Sequence, residues 1–83
     1  MPNAGGPFSI YSAMYAQGLA LVRAGRSELV QELDRDLARR HTGLELLVSS
    51  LALQDARDRM PPRTKVDVLN SVLAATRRAV RKD

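Results

Sequence analysis

Residues 27–59, SELVQELDRDLARRHTGLELLVSSLALQDARDR, carry the strongest periodic signal in the chain. Val30, Leu33, Leu37, Arg40, Leu44, Leu47 and Leu51 follow one another at alternating steps of three and four, a heptad seam interrupted in polarity only by Arg40. Ser27 is suited to cap the start, and Glu28 and Glu32 stand near the positive end of the helix dipole. The pattern predicts one helix over about 27–59, roughly 48 Å long at 1.5 Å per residue. Gly43 costs about 1 kcal/mol against Ala in a helix interior, so the helix is expected to bend there or to meet another backbone closely. Arg40 accordingly has two readings: a polar device that fixes the register of a dimer, or the mark of a phase break at Thr42 and Gly43.

On a helical wheel Glu28, Arg35, Arg39, Thr42, Leu46, Ser49, Leu53 and Arg57 lie opposite the leucine seam. Before Gly43 that back face is charged, whereas over residues 44–53, LELLVSSLAL, it gains Leu46 and Leu53. A helix apolar nearly all round is buried on more than one side. Flanking helices of the same chain can supply that cover. A second copy is the favoured expectation, because a chain of 83 residues builds only a marginal core. An antiparallel homodimer crossing near Gly43 would complete a multi-helix bundle. Leu44, Leu46, Leu47, Leu51 and Leu53 are then the dimer or partner interface.

Working outward, the Pro2, Asn3, Gly5, Gly6, Pro7 cluster cannot hold regular structure, so residues 1–8 are expected to be a flexible segment and 9–82 a single helical domain. Ser9 is a candidate N-cap. Tyr11, Met14, Tyr15, Leu19 and Val22 then share one face of a helix over about 9–24 that Gly25 stops. Pro61 and Pro62 end the long helix, and Thr64 with Asp67 is a capping-box-like entry to a helix over about 63–81. In that helix Val66, Leu69, Leu73, Thr76 and Val80 again run at heptad spacing. No segment alternates apolar and polar residues as a strand would. The fold class is therefore all-α, with three helices in the order medium, long, medium.

The chain has no Cys, which excludes disulfides and thiolate metal sites. His41 is the single histidine, and no acids stand at a metal-ligating or acid–base spacing, so neither catalytic residues, nor a metal, nor a cofactor is expected. Residues 1–8 lack a basic leader, and the apolar run from residue 10 to 22 is too short to span a bilayer. An intracellular, cytoplasmic protein with no membrane partner and no small-molecule substrate is the expectation. Phe8, Tyr11 and Tyr15 are all the aromatics, and their confinement to one apolar face favours packing against the second helix over a docking stripe or base stacking.

The net charge is +4, the basic residues are 11 Arg and 2 Lys, and the excess lies in the last 21 residues. Arg77, Arg78, Arg81 and Lys82 crowd the end of the last helix, where cations suit the dipole and water alike. Together with Arg35, Arg39, Arg57 and Arg63 they also form a candidate phosphate-binding set. In helix order and length the layout resembles the nodavirus-type suppressors of RNA silencing, and more loosely a histone fold. The first likeness implies a dimer that lays a flat face on double-stranded RNA. No sequence motif carries it, so no residue role is transferred. The leading expectation is a non-enzymatic dimeric protein that holds the phosphate backbone of duplex RNA or DNA through those arginines. The alternative is a protein–protein interaction module, such as a small inhibitor, chaperone, adaptor or assembly subunit, that uses an apolar helical surface.

Overall fold

The computed structural model describes residues 6–81. They form four helices: α1 (Pro7–Arg23), α2 (Ser27–Arg40), α3 (Gly43–Arg57) and α4 (Lys65–Arg81). The all-helical class holds, but the helix count is four, because the expected long helix is broken at residues 41–42. His41 and Thr42 are extended, with φ −125° and −136°, and Gly43 enters α3 at φ +61°, a value that glycine adopts without steric cost. The break lets α2 fold back on α3. Ser50 Oγ donates to Asp34 Oδ1 at 3.0 Å, whereas on a continuous helix sixteen residues would separate the two by about 24 Å. No dimension of the molecule exceeds 39 Å. The long central helix behind the likeness to silencing suppressors is therefore absent.

The break also changes which residues face inward. Val30 and Leu37 of α2 are buried with Leu53 and Val22, as the heptad pattern implies for the first half of the seam. Within α3 the buried positions are Val48, Ser49, Ala52, Leu53, Asp55 and Ala56. The continued seam residues Leu44 and Leu47 lie at the surface, and Leu51 is half-buried. The strand of chain across the break reverses direction, so a heptad phase set in α2 has no meaning in α3.

α3 is the central helix and is covered by α1, α2 and α4 of its own chain. α1 runs in the same direction as α3: Tyr11 packs on Val48 and Ala52, and Gly18 lies against Leu53 and Ala56. The close backbone approach expected at Gly43 occurs at Gly18 instead. A Cβ on Gly18 would stand 2.9 Å from Ala56 Cβ and 3.1 Å from Leu53 Cδ2, while nothing lies within 4 Å of one on Gly43.

The helix ends follow local rules. Pro7 occupies the first turn of α1, two residues before the expected start. Gly25, at φ +75°, closes α1: its N–H donates to Val22 O (3.0 Å) and that of Arg26 to Leu21 O (2.9 Å), a Schellman motif. Ser27 is the first residue of α2, with Arg26 at the cap position and no side-chain cap bond. α3 ends in a second Schellman motif in which Arg59, not a glycine, takes φ +55°; Met60 N–H donates to Asp55 O at 2.9 Å. After Pro61 and Pro62, the Asp67 N–H donates to Thr64 Oγ1 at 3.2 Å, the capping bond that the spacing predicts. Among the described residues no helix is long and apolar enough to cross a membrane.

Candidate interaction surface

The turn between α3 and α4 is held by a polar cluster that no local spacing rule signals. Asp55, 4% exposed, accepts from Arg63 twice, Nε to Oδ2 at 2.6 Å and Nη2 to Oδ1 at 3.2 Å. Tyr11 Oη donates to the same Oδ2 at 2.7 Å and accepts from the Arg63 backbone N–H at 3.1 Å. Arg63 Nη1 donates to Ser71 Oγ of α4 at 3.0 Å. Burial, then the bond to Asp55, pushes the Tyr11 hydroxyl up to about 12. The Asp55 carboxylate raises Arg63 further above its ordinary value. Four elements meet here, and each polar group is answered within the chain. The Tyr15 hydroxyl adds a bond to the Met60 carbonyl, and the Tyr11 ring stacks against Phe8 and Tyr15.

Arg63 is therefore engaged by Asp55 and Ser71, and it leaves the set of arginines free to meet phosphate. Arg35 and Arg39 are exposed on α2, Arg57 at the end of α3, and Arg77 and Arg78 on α4. These five form no ion pair. Arg81 ends α4, and Lys82 lies outside the described residues. Arg40 pairs with Asp36 at 2.7 Å and is exposed, so it lies on no buried seam. The structure also brings together Arg23 and Arg59, which line one cleft with Tyr15, Leu19, Met60 and Pro61. They are 36 residues apart, and nothing in the sequence pattern links them.

Of the expected apolar interface, Leu53 is buried (2% exposed) inside the chain and Leu46 and Leu51 are half-buried, leaving Leu44 and Leu47 at the surface. Among the described residues, three of the exposed large apolar side chains form a stripe on α4. Its inner face is Val68 and Val72, packed with Tyr11, Val48 and Ala52. Val66, Leu69 and Leu73, the heptad seam, point about a third of a turn away and are 64%, 42% and 53% exposed. Lys65, Arg77 and Arg78, all exposed and without ion pairs, lie on the same helix. No protein-family model, curated protein or solved structure matches the chain.

Proposed function

We propose that the protein is a non-enzymatic helical module that docks a partner protein's acidic amphipathic helix on α4. The observation that supports this reading is the exposed stripe of Val66, Leu69 and Leu73 at steps of three and four, flanked on the same helix by Lys65 and Arg77, while the one free acid of the helix, Asp67, lies on another face. Each side chain is about half exposed, so docking recovers about half of the ~1.5–3 kcal/mol of full burial. The stripe thus supplies a few kcal/mol, and acidic residues on the partner, facing Lys65 and Arg77, supply steering and register. A second copy fits α4 poorly. In an antiparallel pair centred between Leu69 and Leu73, Lys65 of one copy stands opposite Arg77 of the other, twice. Any homodimer of the kind the seam suggests would use Leu44 and Leu47, the part of that interface still exposed.

The test is fluorescence anisotropy with a labelled helical peptide bearing leucines at i, i+3 and i+7 and glutamates beside them, set against the same peptide with lysine flanks. The glutamate peptide should bind and Leu73→Glu should remove binding. Equal binding of both peptides, or none, overturns the reading, and light scattering in the same buffer reports any dimer.

Binding of duplex nucleic acid is the second reading, supported by the absence of ion pairs at Arg35, Arg39, Arg57, Arg77 and Arg78. Here each arginine removed should reduce the salt slope of duplex binding by about one unit, on any sequence. Affinity no tighter than the non-specific level of about 10⁻⁴ to 10⁻⁶ M sets it aside.

A further inference from the structure

The end of α1 and the turn that follows α3 enclose a cleft of about 340 Å³, near the lower end of the roughly 300–1,000 Å³ typical of small-molecule pockets. Its apolar lining is Leu19, Met60 and Pro61 beside Tyr15, and Met60 is 49% exposed and so open to a ligand. The Tyr15 hydroxyl, bonded to the Met60 carbonyl, fixes that wall. The charged lining residues are Arg23 and Arg59, both exposed and neither in an ion pair. No acid answers them: Asp58, beside Arg59 in the chain, lines a different cleft with Asp34 and Arg57. Among the described residues Arg59 is also the one residue other than glycine at positive φ, +55°. The same turn at the end of α1 is made by Gly25, so the backbone has no need of a side chain at this position. Residues held in the left-handed region against that preference cluster at ligand clamps. Two guanidiniums without counter-ions beside an apolar wall call for an anion with an apolar body. Their two charges match a phosphate monoester, nearly a dianion at neutral pH, whose oxygens the planar guanidinium bonds two at a time.

We propose that this cleft binds a small phosphate monoester with a compact apolar group, its phosphoryl oxygens held by Arg23 and Arg59 and its apolar group laid on Leu19, Met60 and Pro61. The site is separate from the α4 surface, and neither arginine belongs to the set that would meet a duplex, so it stands or falls independently of both readings. Only the fold creates it, because Arg23 ends α1 and Arg59 lies just beyond α3.

The experiment is a ¹H–¹⁵N correlation titration of the whole protein at about pH 7.5, where a phosphate monoester carries close to two charges, with phenyl phosphate, inorganic phosphate and methyl phenyl phosphate. Phenyl phosphate should give saturable shifts confined to residues around Leu19, Arg23 and Met60. Inorganic phosphate lacks the apolar group, and methyl phenyl phosphate is a diester with a single charge, like each link of a nucleic-acid backbone; each should bind about tenfold more weakly. Arg59→Gly should lower phenyl phosphate affinity about tenfold while raising the melting temperature, a pairing that a damaged fold does not give. Arg23→Gln should lower the affinity by as much. Arg40→Gln removes the same charge from a residue that pairs with Asp36 away from the cleft, and should leave the affinity unchanged. The proposal is overturned by any of four results: no saturable phenyl phosphate shift, equal binding of inorganic phosphate or the diester, unchanged affinity in Arg59→Gly, or an equal loss in Arg40→Gln. Each leaves the two arginines as solvated cations.

Discussion

Asp55 and Arg63 meet in a two-pronged pair across the double-proline turn, at 2.6 and 3.2 Å, and through it α3 is tied to α4. Asp55 is buried while the Arg63 side chain is 34% exposed, so the two partners do not contribute symmetrically. Replacing Arg63 leaves a carboxylate in the interior with Tyr11 alone to answer it.

Arg63→Ala is therefore expected to lower the unfolding free energy by about 3 kcal/mol, the lower end of the range for breaking a buried pair. Urea denaturation measures this. Hydrogen exchange should show the loss of protection concentrated in α4, because Arg63 Nη1 also holds Ser71. Uniform loss across α1 to α3 would mean that the pair does not act as the α4 tether.

The Tyr11 hydroxyl, pushed up to about 12 from its ordinary 10, gives a pH dependence of defined sign. The folded state holds this proton more tightly than the unfolded state. Its contribution is complete below pH 10 and is lost as pH rises from 10 to 12, amounting to about 3 kcal/mol at most. Thermal unfolding across that window should show a fall in stability that Tyr11→Phe makes shallower.

Gly18→Ala sets two effects against each other. Alanine gains about 1 kcal/mol in helix propensity, but its Cβ would stand 2.9 Å from Ala56 Cβ on a helix that cannot yield at a single atom. Overpacking of this kind costs about 1–3 kcal/mol, so a net loss is expected. Ala56→Gly in the same chain should make the Gly18→Ala change less costly, a coupling that a double-mutant cycle measures.

Gly43 and Arg59 give changes of opposite sign. Gly43→Ala places a side chain at φ +61° and should destabilise by about 1 kcal/mol, whereas in a continuous helix it would stabilise by as much. Arg59→Gly relieves a side chain at φ +55° and should raise stability by about 1 kcal/mol. The melting temperature of Gly43→Ala reports the break at Thr42, and that of Arg59→Gly the left-handed residue that ends α3.

The sequence by itself determined the all-helical class and several of the helix ends. Gly25 stops α1, Pro61 and Pro62 separate α3 from α4, and Thr64 caps α4, because each acts through backbone angles and hydrogen bonds only a few residues long. Even the break at Thr42 and Gly43 left a local trace. That trace was outweighed by a heptad pattern equally suited to one long helix and to the inner face of a helix that folds back. Only the tertiary structure decided which half of the seam is buried, that Gly18 is the point of close approach, that Arg63 serves Asp55, and that Leu69 and Leu73 face outward. Periodicity states which residues share a face, whereas burial of that face depends on helices brought alongside from elsewhere in the chain.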